Sequence, residues 1–299
     1  MSSQAALVPQ ISGLSQLAER YDAILCDVWG VLIDGRSHFP IAAIALERYR
    51  ARGGKVALVT NASRPSEEVR RQLDGLGLPR AAYDDLVSAG QLTLEQMVAR
   101  KGEACHHLGP PRDNGLFEAA NRLLGGKFRR VPLADADYVV CTGLIDERRE
   151  TPDDYRKTLE LMRERGLPML CANPDIVVAI AGELVYCAGA LAERYAALGG
   201  EVVMAGKPYP PIYAAALRRI AELSGEEPPA SKVLAIGDGV ATDLLGAARA
   251  GLDSLFLTEG VHRDELYPPP ERRLDATAMG ALLAGAGVKP VAFAPFLVW

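Results

Sequence analysis

Nowhere in this chain do about 18 apolar residues run without interruption, so no segment reads as a helix that crosses a bilayer, and no membrane partner is expected. Residues 1–17 hold neither a positively charged opening nor an apolar block of signal-peptide length, and the expected compartment is the cytoplasm. Lysine and arginine form no run, and the net charge is −5, which argues against a surface built to neutralise a phosphate backbone and excludes nucleic acid as an expected partner. The five cysteines (Cys26, Cys105, Cys141, Cys171 and Cys187) are odd in number, widely spaced and without a CxxC pair, so they read as reduced, mostly buried thiols. There is no GxxxxGK[ST], HExxH or GxSxG stretch. His106 and His107 are the only adjacent histidines, and with no third ligand at metal spacing a zinc site is not expected there. Aromatics are scarce at 6%, yet hydrophobic residues make up 49% and charged residues 24%, the balance of a packed globular protein rather than a disordered one.

What is present is a regular alternation. The 299 residues exceed one typical domain and suggest two units. AILCDVWGVL, KVALVTN and DLVSA are short apolar strands, and IAAIALERYRARGG, SEEVRRQLDGLG and QLTLEQMVARKG are the helices that follow them. Continuous apolar strands between amphipathic helices signify βαβ units and a parallel sheet covered on both faces, so the fold class is α/β. The middle of the chain repeats the pattern through EACHHLG, DADYVVCTG and PMLCANPD, either as more of one sheet or as a second domain. From Lys232 the alternation resumes with KVLAIGDG and SLFLTEG.

Ligands of open α/β sheets bind at the carboxyl ends of strands, which directs attention to four places where polar groups end apolar runs. Asp27 follows AILC, and an aspartate there either caps a turn or meets a ligand. Thr60 and Asn61 follow KVALV, where they suit helix capping as well as binding phosphate oxygens. Lys207 sits between Gly206 and Pro208, either as a solvated charge or aimed into a cleft. Asp238 and Asp243 follow VLAI in IGDGVATD, and paired carboxylates near a strand end suit a hard cation such as Mg²⁺ as well as a turn with a cap. The same stretch makes a poor dinucleotide fingerprint: Thr242 occupies the third glycine position, and Asp238 puts negative charge where a pyrophosphate would lie.

Taken in order, an aspartate, a Thr or Ser, a lysine and a terminal acidic pair resemble the haloacid dehalogenase superfamily. GVLIDG, TNAS, ANPD, GKPYPPIY and GDGVATDLLGAARAG look most like its class IIA, the p-nitrophenyl phosphatase-like members, from about residue 20 to about residue 265. The resemblance implies a Rossmann-like, doubly wound parallel core made of residues 1–103 and 204–299, with an inserted α/β cap at residues 104–203. It implies Mg²⁺ held by Asp27, Asp238, Asp243 and the backbone carbonyl of Trp29, with Asp27 as the nucleophile. Lys207, Thr60 and Asn61 would bind phosphoryl oxygens, and the substrate would be a small phosphorylated metabolite. Caps of this class often mediate dimers, so a homodimer through the cap belongs to the same expectation.

One departure stands out. In typical phosphatases of this superfamily a second aspartate, two places after the first, protonates the leaving group and later activates water, and here Trp29 occupies that place. A positioned acid or base contributes about 10²–10⁴-fold, so the change lowers turnover without erasing it. Three outcomes stay open: a phosphatase that uses activated leaving groups or a substitute such as Asp34 or His38; a phospho-ligand-binding protein of little or no activity; and, less favoured because the acidic pair is retained, a dehalogenase. Asn173, Pro174 and Asp175 read mainly as a turn.

Overall fold

The computed structural model describes residues 8–180 and 183–299. In chain order the elements are β1 (Ala23–Cys26), α1 (Pro40–Ala51), β2 (Lys55–Thr60), α2 (Ser66–Gly75), β3 (Asp85–Ser88), α3 (Ala89–Ala99), β4 (Ala104–Leu108), α4 (Asn114–Leu123), β5 (Arg129–Arg130), β6 (Tyr138–Cys141), α5 (Arg156–Glu164), β7 (Met169–Cys171), β8 (Val177–Ile180), β9 (Glu183–Tyr186), α6 (Ala188–Ala197), β10 (Val202–Met204), α7 (Pro210–Ser224), β11 (Val233–Gly237), α8 (Leu245–Arg249), β12 (Asp253–Leu257), α9 (Arg263–Leu266), α10 (Ala276–Ala286) and β13 (Ala292–Ala294). The α/β class is observed: two sheets are parallel throughout their described pairings, and helices connect their strands. No described helix is long and apolar enough to cross a membrane.

Contacts divide the chain into two units, one of residues 1–59, 73–86 and 213–299, the other of residues 60–72 and 87–212. The first carries a six-stranded sheet in the order β13-β12-β11-β1-β2-β3. Its order reverses beside β1, since β2 and β3 extend to one side and β11, β12 and β13 to the other, so the crevice at the carboxyl ends of β1 and β11 is the topological switch point where ligands bind in such sheets. Ala23 through Cys26 pair in register with Val233 through Ile236, and all eight are buried, which explains why these strands read as unbroken apolar runs. Val240, Leu244, Phe256, Leu266, Met279 and Phe293 build one of this unit's apolar clusters.

The second unit holds a separate five-stranded sheet, β10-β7-β6-β4-β5, so the alternation in the middle of the sequence is not more of the first sheet. One apolar cluster there joins Val139, Leu159, Met169, Leu191 and Tyr195; another joins Leu94 and Met97 of α3 to Leu116, Phe117 and Val140. Helix α3 therefore shares its core with the strands that follow it, and the contacts draw the unit boundary earlier than residue 104 for that reason. The antiparallel hairpin of β8 and β9 was not separable in the run NPDIVVAIAGELVY, because continuous apolar residues show no period. All five cysteines are buried, and burial pushes the thiols of Cys105 and Cys141 up to about 12.

Candidate active site

Strand β1 delivers Asp27 to its carboxyl end, where the Asp27 N–H donates to the Ile236 carbonyl at 2.8 Å and prolongs the β1–β11 ladder by one residue. Asp238 follows β11 directly. The chain then makes a wide turn over Val240–Leu244, in which the N–H groups of Asp243 and Leu244 both reach the Gly239 carbonyl, at 2.8 and 3.1 Å. This i→i+5 closure is rare and is found mostly at functional sites. It turns Asp243 back: Asp27, Asp238 and Asp243 each present an oxygen within 4.8 Å of the others. They are 7%, 6% and 5% exposed, so three carboxylates share a space with little water to screen them. An all-oxygen set of this kind fits a hard divalent cation.

The backbone around the cluster has been emptied to make room. A Cβ on Gly30 or Gly260 would overlap the Asp238 carboxylate, and one on Gly237 would overlap Asp243. The Val261 N–H donates to Asp238 Oδ2 at 2.7 Å and the Gly239 N–H to Asp243 Oδ2 at 3.1 Å, which fixes one oxygen of each carboxylate. His262 Nε2 accepts from the Val240 N–H at 3.3 Å. Gly260 and Val261 drew no attention in the sequence, because neither the room left by a glycine nor a backbone donor carries a side-chain signal, and His262 stands outside any motif.

Trp29 lies in a tight loop closed by Gly30 N–H to the Ile33 carbonyl (2.9 Å) and Leu32 N–H to the Val28 carbonyl (2.8 Å). Its ring edge covers Gly35: a Cβ there would stand 2.7 Å from both Cη2 and Cζ3. The two candidates for a replacement acid are both otherwise engaged. Asp34 Oδ1 accepts the N–H groups of Ser37 and Arg36, at 2.9 and 2.8 Å, and these bonds hold its carboxyl below the usual range, which makes it a poor proton donor. His38 Nδ1 donates to the Leu76 carbonyl at 3.0 Å.

In the second unit Thr60 and Asn61 end the β2 run, both buried. The Thr60 hydroxyl accepts the Ala62 N–H at 3.3 Å, a local turn contact. Asn61 and Lys207, 146 residues apart in sequence, are brought together: the Lys207 N–H donates to Asn61 Oδ1 (2.7 Å), and Asn61 Nδ2 donates to the Lys207 carbonyl (3.1 Å). The same Nδ2 donates to Asp175 Oδ1 at 2.8 Å, so the Asn-Pro-Asp stretch is more than a turn. Elsewhere in this unit, Arg130 Nη2 donates to His107 Nδ1 at 3.0 Å, which leaves the ring proton on Nε2 to donate to Thr142 Oγ1 at 2.9 Å. Burial, then the charge of Arg130, lowers the His107 pKa to about 4.

Family and structural likenesses agree with this geometry. The model of haloacid dehalogenase-like hydrolases matches residues 24–121, and a HAD-hydrolase-like model matches residues 204–279. A haloacid dehalogenase-like family hydrolase from Brucella suis 1330 is 41% identical, with 97% of this chain and 100% of that one covered and a TM-score of 0.83. A D-glycerol 3-phosphate phosphatase from Mycobacterium tuberculosis is 29% identical over 277 residues, which are 87% of this chain and 70% of the relative. A crystal structure of a glycerol phosphate phosphatase from the same organism in complex with magnesium is 26% identical, covering 88% of this chain and 78% of that one, with a TM-score of 0.61. By its matched motifs, its fold and its likeness to the Brucella suis protein, the chain belongs to the haloacid dehalogenase-like hydrolases.

Proposed function

We propose that this hydrolase is a Mg²⁺-dependent phosphatase that removes the phosphoryl group of a small phosphorylated metabolite through an aspartyl-phosphate on Asp27. The observation that carries the proposal is the convergence of Asp27, Asp238 and Asp243 at the switch point of the first sheet. Asp27, Asp238, Asp243 and the Trp29 carbonyl would hold the ion. Mg²⁺ supplies Lewis-acid neutralisation of charge, which an anion attacking a phosphate ester needs. A carboxylate oxygen of Asp27 bonds to phosphorus while the ester oxygen departs with the bonding pair, and water then attacks the aspartyl-phosphate, regenerating the carboxylate and releasing phosphate. Lys207 and the Thr60 hydroxyl bind phosphoryl oxygens and stabilise the charge they gain in the transition state.

With Trp29 in place of the usual acid, and with Asp34 held ionised by backbone N–H groups, the reading favours substrates whose leaving group needs no proton, such as a phenolate or an acyl phosphate. The second reading, a phospho-ligand-binding protein with little turnover, rests on the same tryptophan. Dehalogenation is disfavoured by the acidic cluster, since halide departure needs no such cation site. The proposal includes residues 104–203 as a cap between core segments 1–103 and 204–299, supported by the separate sheet that runs from β4 to β10, with a homodimer through that cap and a cytoplasmic location.

The test is hydrolysis of p-nitrophenyl phosphate with and without Mg²⁺, with Asp27→Asn as the blank. Magnesium-dependent turnover lost in the variant supports the phosphatase. Binding of inorganic phosphate with no rate above the blank moves the weight to the ligand-binding reading.

A further inference from the structure

We propose that Asn61 and Asp175 are positioning residues for Lys207, holding the lysine's backbone so that its ammonium group meets the phosphoryl oxygens; the inference rests on the phosphate role given to Lys207 above. A single planar amide brackets the lysine's main chain. Its oxygen takes the Lys207 N–H at 2.7 Å, and its nitrogen gives a proton to the Lys207 carbonyl at 3.1 Å. The second N–H of that nitrogen goes to Asp175 Oδ1 at 2.8 Å. A backbone N–H can only donate and an ionised carboxylate can only accept, so the amide has one permitted orientation, and no Ser, Thr or Asp at position 61 offers the same set. Asn61 and Lys207 are each 4% exposed, which makes an unmet bond costly and the arrangement rigid.

The third partner is itself held. The Asp175 N–H donates to Asn173 Oδ1 at 3.1 Å, and its carbonyl accepts the Gly189 N–H at 3.1 Å, so the turn fixes the main chain from which its carboxylate reaches Asn61. Gly206, next to the lysine, lies so close to this group that a Cβ would overlap Asn61 Oδ1 and come within 2.8 Å of Pro174 Cδ. Residues 61, 173–175 and 206–207 are therefore interlocked, and movement of the Asn-Pro-Asp turn reaches Lys207 through one amide. Misplacing a reacting group by about 1 Å costs on the order of 10²-fold in rate.

The experiment measures kcat and KM for p-nitrophenyl phosphate, calorimetric binding of inorganic phosphate in the presence of Mg²⁺, and Mg²⁺ affinity. The variants are Lys207→Ala, Asn61→Ala, Asn61→Asp, Asp175→Leu, Asp175→Asn and the pair Asn61→Asp with Asp175→Asn. Lys207→Ala sets the full loss, about 10²–10³-fold in kcat. Asn61→Ala is expected to lose about 10-fold or more in kcat and to weaken phosphate binding, while Mg²⁺ affinity stays within about twofold, because none of the three carboxylates is touched. Asp175→Asn keeps an acceptor for Asn61 and stays within about threefold of wild type, whereas Asp175→Leu does not. Asn61→Asp sets an acceptor against two others and is the worst of the single changes at Asn61 and Asp175, approaching the loss set by Lys207→Ala; adding Asp175→Asn restores one donor and recovers part of the loss. Asn61→Ala at wild-type kcat and phosphate affinity, beside a crippled Lys207→Ala, would overturn the inference and leave the phosphatase intact. A fully active Lys207→Ala, or a wild type that neither turns over nor binds phosphate, would overturn the reading beneath it as well.

Discussion

Gly30, Gly35 and Gly53 all have positive φ, at +76°, +87° and +94°, and an alanine at any of them pays the left-handed strain of about 1–2 kcal/mol. They differ in what the new methyl meets. At Gly53 nothing lies within 4 Å, at Gly35 the methyl stands 2.7 Å from the Trp29 ring edge, and at Gly30 it overlaps the Asp238 carboxylate and lies 2.9 Å from its Cγ. Gly53→Ala therefore gives strain alone, expected as a fall of about 2–8 °C in melting temperature at unchanged Mg²⁺ affinity. Gly35→Ala adds displacement of an indole and leaves the carboxylates in place. Gly30→Ala must push Asp238 aside, breaking its bond to the Val261 N–H, and is expected to weaken Mg²⁺ binding by about 10–100-fold, the scale on which neighbours of metal ligands act. Calorimetric Mg²⁺ titration beside thermal melts of all three separates the effects. If Gly30→Ala binds Mg²⁺ as tightly as Gly53→Ala, Asp238 is not a ligand held by this packing, and the reasoning fails.

Trp29→Asp restores a carboxyl at the usual acid position and should raise kcat for alkyl phosphates by about 10²-fold or more while leaving p-nitrophenyl phosphate, whose phenolate leaves unaided, nearly unchanged; equal gains on both would argue against a missing acid. His107 titrates near 4 when folded against 6.5 otherwise, so the unfolded chain binds the proton first as pH falls. Stability is complete above about pH 6.5 and declines toward pH 4 by up to about 3 kcal/mol, and His107→Gln should flatten that slope in urea melts at pH 7.5 and 5. Asp238→Asn removes one charge from the acidic cluster and should abolish measurable Mg²⁺ binding while raising melting temperature in metal-free buffer, as like-charge repulsion is relieved.

Much of this was legible in the sequence because strands buried on both faces write themselves as apolar runs, and what ends them is conspicuous. Asp27, Thr60, Lys207 and the pair Asp238 and Asp243 were singled out that way, and the fold brings Asp27, Asp238 and Asp243 together. Asn61 was marked as a phosphate ligand, but its polar atoms serve the Lys207 backbone and Asp175, a relation across 114 and 146 residues that no local pattern encodes. The clearance supplied by Gly30 and Gly260 was equally hidden, since a glycine that makes room for a carboxylate looks like any turn glycine. Asp34 and His38 were named on proximity to Trp29 alone, and their hydrogen bonds to Arg36, Ser37 and Leu76 are contacts that proximity in sequence does not reveal.

The central claim is that Asp27 forms a covalent bond to phosphorus. Borohydride reduces an acyl phosphate to an alcohol, so quenching the enzyme with it during turnover of p-nitrophenyl phosphate in Mg²⁺ should convert Asp27 to homoserine, read by peptide mass spectrometry. The account predicts that conversion at residue 27 only, and its loss when Mg²⁺ is withheld. Steady turnover with residue 27 unmodified would contradict it.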